Sequence, residues 1–331
     1  MLRVAVLGAG RIGKIHAKNV AISNRTELVL VADTWVEGAD QLATQLGCES
    51  SYDYYSAIER NDVDAVLIGT PTELHIDLML HAVKLGKPVL CEKPIDLDFD
   101  KARSAVDQVE SMNGRVMLAF NRRFDPDFLQ MSKVIKDGDI GEIRQVVITS
   151  RDPGLASKEY LKGSGGIFRD MTIHDFDTAR SLLGEEPIEV FATGSRLVDP
   201  TLEEIPDFDT VMIVLRTESG KQCHINCCRE AVYGFDQRLE VFGSKGMLLN
   251  ENHRSSTIRK WNSEATDIRD PLLNFFLERH AESYKIELEC FLDALDTGSP
   301  MPSTPRDGLL ALRIANAALE SAITKQLIII E

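Results

Sequence analysis

Leu2-Arg3-Val4-Ala5-Val6-Leu7-Gly8-Ala9-Gly10-Arg11-Ile12-Gly13 opens the chain and decides its fold. An apolar run enters a G-x-G-x-x-G turn, and a helical pattern follows over 12–22. Gly8 permits a tight turn, Gly10 lets backbone approach a pyrophosphate, and Gly13 lets the helix pack on the strand. The helix start offers N–H groups and partial positive charge to phosphate. Arg11 and Ile12 lie in the same turn and join Gly8, Gly10 and Gly13 as cofactor-binding candidates. Asp33 ends the next apolar run, about 20 residues on, where a carboxylate accepts hydrogen bonds from ribose hydroxyls. Thr34 and Trp35 follow it rather than a basic residue, so the cofactor expected is NAD, not NADP.

Working outward, strands are expected at 3–7, 28–32, 65–69, 89–91 and 116–120. Helical patterns at 12–22, 37–46, 73–85 and 98–113 separate them, with Gly47, Gly86 and Gly114 placed as C-terminal caps. Continuous apolar strands alternating with helices predict a doubly wound parallel sheet, a Rossmann domain over 1–120. Beyond 121 the runs lengthen, at 143–151, 188–196, 211–216, 222–229, 238–242 and 257–261. Short turns such as Ser219-Gly220 and Ser244-Lys245-Gly246 join neighbours, which predicts an antiparallel sheet. Helices are expected near 127–137, 170–183, 278–296 and 305–325, the last with Thr304 as N-cap and Pro305 at its first position. Residues 121–331 therefore read as a second α/β domain, for substrate and oligomer contacts. Its last helix is a candidate to pack back toward the first domain.

The 331 residues carry a net charge of -15 and are 44% hydrophobic. No basic face is available for nucleic acid or anionic lipid, and no apolar run reaches the roughly 18 residues of a membrane span. The first apolar run breaks at Gly8, too early for a signal peptide, so a cytoplasmic protein is expected. The six cysteines are scattered, and no disulfide framework is expected. Cys223, His224, Cys227 and Cys228 lie close, but a strand sends alternate side chains to opposite faces, so no metal site is expected.

Three elements then occur in order: the glycine turn, Thr70-Pro71-Thr72-Glu73-Leu74-His75, and Cys91-Glu92-Lys93-Pro94. With them the chain resembles the Gfo/Idh/MocA oxidoreductase family over nearly its whole length. The segments 150–153, 165–177, 233–238 and 307–312 resemble its inositol 2-dehydrogenase branch. The resemblance implies a Rossmann domain followed by an α/β domain with a large, mostly antiparallel sheet. It also implies an active site between the domains and a homo-oligomer, tetramer or dimer. Thr70, Pro71, His75, Glu92 and Lys93 join the cofactor set. The substrate implied is a small polyol, most simply myo-inositol oxidised to scyllo-inosose, with scyllo-inositol or another sugar as the alternative. A non-catalytic NAD(P)-binding regulator is the other class.

Oxidising a secondary alcohol sends a hydride to the nicotinamide and a proton to a base. Histidine titrates near working pH without perturbation. Asp170 and His174, at i and i+4 in a helical pattern, are expected on one face. Lys93 lies just past the C-terminal end of a parallel strand, where open α/β sheets bind ligands. Its ammonium can stabilise a developing alkoxide. The resemblance assigns the same catalytic trio: His174 as acid/base, Lys93 as polarising donor and Asp170 as orienter. It adds Arg123 (or its neighbour Arg122), Asp152 and Tyr233 as substrate contacts. Ser150 stands where some inositol dehydrogenases carry histidine, which leaves the preferred isomer open. His16, His81, His253 and His280 read as structural.

Overall fold

The computed structural model describes residues 1–199 and 207–331. The chain forms two units, one of residues 1–124 and 283–312, the other of 125–282 and 313–331.

The first unit is built on six parallel strands: β1 Leu2–Leu7, β2 Thr26–Ala32, β3 Glu49–Ser51, β4 Ala65–Ile68, β5 Val89–Glu92 and β6 Val116–Ala119. Their order is β3-β2-β1-β4-β5-β6, so the winding reverses between β1 and β4, beside the glycine turn. All four residues of β4, β5 and β6 are buried, as continuous apolar strands under two helix layers must be. Helices Arg11–Ile22, Val36–Leu46, His75–Lys84 and Phe99–Ser111 fall where the sequence pattern puts them. β3 and helix Tyr54–Glu59 carry no such pattern; the helix is started by Asp53, whose side chain accepts from the Tyr55 N–H. Gly47 and Gly86 take the left-handed backbone of a cap. Gly114 does not: Asn113 takes it, at φ 51°, and Gly114 is needed because a Cβ would lie 2.8 Å from Val83. Most of helix Ala281–Thr297 belongs to this unit, with Leu288, Phe291 and Leu292 in its core and Arg25 paired to Glu289, Asp293 and Asp296.

The second unit carries a seven-stranded sheet of β7 Ile143–Arg151, β8 Pro187–Ser195, β9 Thr210–Thr217, β10 Gln222–Cys228, β11 Asp236–Gly243 and β12 Met247–Asn250, with a short last strand. A separate two-residue ribbon pairs β13 Arg259–Lys260 with β14 Ile268–Arg269, so the run expected at 257–261 shrinks to a remnant. The last strand is β15 Ile328–Ile329, and the order is β12-β11-β7-β10-β9-β8-β15. Among the described strands of this sheet, only β7 and β10 pair in parallel. Along β9, Val211, Ile213 and Leu215 are buried while Met212, Val214 and Arg216 are exposed, the mark of a sheet covered on one face. β10 likewise buries Cys223 and Cys227 and turns His224 and Cys228 the other way.

Two expected helices are broken. The pattern at 278–296 splits at His280 into Phe276–Arg279 and Ala281–Thr297. The pattern at 170–183 splits at Met171-Thr172 into Ile167–Asp170 and Ile173–Leu183. The Thr172 hydroxyl donates back to the Phe168 carbonyl at 3.1 Å, and the Thr172 N–H to that of Ile167, so the ladder closes one helix before opening the next. Asp170 therefore ends one helix and His174 sits in the first turn of another. The single helix expected to carry both is thus two, joined by two residues that keep right-handed backbone.

Candidate active site

The glycine turn is a backbone cradle. Gly8 has φ +108°, and a Cβ there would fall 2.4 Å from the Gly69 carbonyl. A Cβ on Gly13 would fall 2.0 Å from the Gly8 carbonyl. A Cβ on Gly10 would meet nothing within 4 Å. The space above Gly10 is thus left open by the chain, while the other two glycines are required by its own packing. Gly10 caps helix Arg11–Ile22 with no side-chain bond and no acid in the first turn, leaving backbone donors for an anion. Asp33 accepts from the Ala9 N–H at 2.6 Å and the Trp35 N–H at 2.8 Å. Each oxygen keeps a second acceptor site for a ribose hydroxyl. Thr70, just after β4, buries a hydroxyl that has no partner among the described residues. An open cradle, uncapped donors, a carboxylate and an orphaned hydroxyl around the switch point fit a dinucleotide.

β5 ends at Glu92, and Lys93-Pro94 follows. Glu92 Oε1 lies 2.8 Å from His16 Nε2. His75 is buried, with Nδ1 2.7 Å from the Pro94 carbonyl and Nε2 2.9 Å from that of Thr70. Burial pushes His75 below the ordinary histidine range, and the two carbonyls pull the other way. Pro71 begins the turn into the helix that His75 opens. Arg123 donates to the Pro302 carbonyl at 3.0 Å and pairs with Asp307 at 3.1 Å, while Arg122 is the more buried of the two.

In the second unit, Asp170 Oδ1 accepts from the Tyr160 hydroxyl at 2.7 Å, and Oδ2 from Arg229 Nη1 at 3.1 Å. The other arm of Arg229 reaches Asp207 Oδ2 at 3.2 Å, and Asp207 Oδ1 takes the N–H of Ile167 at 2.7 Å. One buried guanidinium thus joins Asp170 to the carboxylate that starts Asp170's own helix. Burial alone would lower the pKa of Arg229; the charges of Asp170 and Asp207 raise it instead. Burial and the Asp170 carboxylate push the Tyr160 phenol up, so it stays a donor. Tyr160, Arg229 and Asp207 were not legible in advance. The one signal was an arginine closing a buried strand, which demands a carboxylate without saying which.

Asp152 follows β7, with its N–H on the Cys228 carbonyl. The Tyr233 hydroxyl donates to Asp236 at 2.7 Å and accepts from Arg151 at 2.8 Å, at the edge of an open groove of about 1250 Å³. Ser150 is buried and takes the Gln237 amide at 3.0 Å. Lys93, Arg123 and the cofactor candidates belong to the first unit; Asp152, Asp170, His174 and Tyr233 belong to the second.

Residues 2–120 match the oxidoreductase family with an NAD-binding Rossmann fold, and residues 128–249 the GFO/IDH/MocA C-terminal domain. An inositol 2-dehydrogenase of Rhizobium meliloti is 46% identical over 98% of each chain. The crystal structure of a myo-inositol dehydrogenase from Corynebacterium glutamicum superposes with a TM-score of 0.97 at 45% identity, covering 100% of this chain and 99% of that one. A scyllo-inositol dehydrogenase from Lactobacillus casei, with bound NAD(H) and scyllo-inositol, gives 0.93 at 28% identity over 100% and 99%. The chain belongs to the Gfo/Idh/MocA oxidoreductase family.

Proposed function

We propose that this member of the Gfo/Idh/MocA family is an NAD-dependent inositol 2-dehydrogenase, oxidising myo-inositol to scyllo-inosose. The observation that carries the reading is full-length likeness to such an enzyme, in a chain that keeps Lys93, Asp170 and His174 in the family's motif order. NAD, when bound, supplies the hydride acceptor. Gly8, Gly10, Arg11, Ile12 and Gly13 hold its pyrophosphate, Asp33 its ribose, and Thr70, Pro71 and Glu92 line its path. Lys93 donates to the reacting oxygen and steadies the alkoxide. His174 takes the hydroxyl proton. Asp170 is the fixed anion that orients the site, held from both sides by Tyr160 and Arg229. Asp152 reads another hydroxyl. Arg123 and Tyr233 take lesser parts, because their polar atoms already serve Pro302, Asp307, Arg151 and Asp236.

A second reading, scyllo-inositol or another sugar as preferred substrate, is left open by Ser150 and supported by the likeness to a scyllo-inositol dehydrogenase. A panel of inositol isomers and aldoses with NAD, followed by NADH absorbance, tests both. The highest kcat/KM is expected on myo-inositol; a higher value on scyllo-inositol or on an aldose sinks the first reading. Turnover on any of them removes the regulator alternative.

The reading carries a cytoplasmic location, where NAD is available, and a homo-oligomer. No described helix is long and apolar enough to cross a membrane. The open face of the second sheet exposes Phe191, Met212, Val214, Phe242, Met247 and Leu249, and we assign the subunit contact to it.

A further inference from the structure

Lys93 stands between two residues that are each held by a buried imidazole. On one side the Glu92 carboxylate lies 2.8 Å from His16 Nε2. On the other the Pro94 carbonyl lies 2.7 Å from His75 Nδ1. Each histidine is only 1% exposed. His16 comes from helix Arg11–Ile22, one turn past Gly13, and His75 opens helix His75–Lys84. Two helices that begin beside the cofactor cradle thus each send one ring to the same tripeptide.

His75 does more than His16. Its second nitrogen lies 2.9 Å from the Thr70 carbonyl, so one ring bridges the loop after β4 and the loop after β5. Carbonyls only accept, so the ring must donate. One ring proton holds one loop and two hold both. A proton on Nδ1 holds the Lys93 side and one on Nε2 the Thr70 side, and both nitrogens lie within hydrogen-bond distance of their carbonyls. A lysine carries its ammonium on a long flexible stem. Its aim is set by where the backbone starts that stem.

We propose that His16 and His75 are positioning residues that clamp the backbone around Lys93, with His75 the stronger because it ties backbone to backbone. The inference rests on the role assigned to Lys93 above. His75 then serves the cofactor side of the site through Thr70 and Pro94 rather than by its own ring nitrogens.

His75→Phe keeps the ring shape and removes both donors; His75→Gln keeps a donor for one carbonyl. Three quantities separate positioning from mere structure. They are kcat and KM on myo-inositol per folded enzyme, NADH affinity from tryptophan fluorescence, and the rate at which an amine-acylating reagent labels Lys93 in cofactor-free enzyme, read by mass spectrometry. Since about 1 Å of misplacement costs about 100-fold, kcat should fall about 100-fold in His75→Phe, with NADH affinity within about threefold of wild type. Lys93 labelling should change in the same variant, and His75→Gln should recover about tenfold of the lost kcat. Wild-type kcat together with wild-type labelling in His75→Phe overturns the clamp. If that variant does not fold, His75→Gln decides: a fall in kcat at unchanged NADH affinity upholds the clamp, and wild-type kcat and labelling overturn it. Full activity in Lys93→Ala would sink the catalytic role of Lys93 instead, while the labelling, which needs no turnover, still judges the clamp.

Discussion

The cradle at Gly8–Gly13 and the setting of Asp170 solve the same problem, holding a charge in place, by opposite means. The cradle is backbone against backbone over six residues, closed by Gly69 and Asp33. Asp170 is held by side chains from afar: Tyr160, 10 residues away, and Arg229, 59 away. Arg229 in turn needs Asp207, 22 residues from it. The cradle can therefore be spoiled by adding one atom, and the Asp170 setting by removing one charge.

The largest effect is expected from breaking the second. Arg229→Met leaves Asp170 and Asp207 partly or fully buried without their shared cation, and losing one partner of a buried pair costs about 3–5 kcal/mol. Chemical denaturation should show that loss, and the folded fraction should lose most of its turnover. A variant as stable and active as wild type would mean Asp170 is not held through Arg229. Next comes the cradle. Gly13→Ala drives a Cβ into the Gly8 carbonyl and should cost stability, whereas Gly10→Ala puts its Cβ into the open space a pyrophosphate would fill and should weaken NADH binding about 100-fold at near wild-type stability. Equal losses of stability in the two variants, or wild-type NADH affinity of Gly10→Ala in a fluorescence titration, would break the distinction between a glycine needed by the chain and one needed by the ligand.

Asp33→Ser probes the cradle's edge. Losing the ribose contact and the anion should lower kcat/KM with NAD about tenfold and raise that with NADP; identical profiles would release Asp33 from reading the ribose.

The smallest effect contrasts two buried carboxyls by their pH dependence. Burial would raise the Asp125 carboxyl, but His280 and Arg279 overcome it and hold it well below the usual range. Glu287 is fully buried, neither oxygen has a hydrogen-bond partner among the described residues, and burial with the nearby Glu92 pushes it well up. The native state keeps the Glu287 proton where the unfolded chain has lost it. Its contribution is therefore complete below about pH 4.3 and falls as pH rises. Glu287→Gln should melt with wild type near about pH 4 and progressively above it as pH rises. A difference that shrinks as pH rises would show Glu287 to be ionised in the fold.

Much of the first unit was legible because its information is local. The period of the strands, the G-x-G-x-x-G spacing and the acid at Asp33 are all read within one βαβ stretch. The N-cap at Thr304 was equally plain: its hydroxyl accepts from the Asp307 N–H, and Asp307 in return accepts from the Thr304 N–H. What failed was the expectation of one unbroken helix through Asp170 and His174. A helical pattern continues through Met171-Thr172, and nothing in it says that the Thr172 hydroxyl will turn back on the helix before it. Lys93 could be placed past the end of a parallel strand, but nothing there said that its flanks are pinned by His16 and His75, which come from two other helices.

The sequence by itself determined the cradle, most of the strand–helix alternation of the first unit, and which residue types stand at the site. Those follow from glycine's missing Cβ and from apolar periodicity, which act between neighbours. The tertiary structure alone decided the Arg229 bridge to Asp170 and Asp207, the split helix, and the two imidazoles around Lys93. A buried charge or donor accepts any partner of complementary chemistry, and only folding brings one within 3 Å.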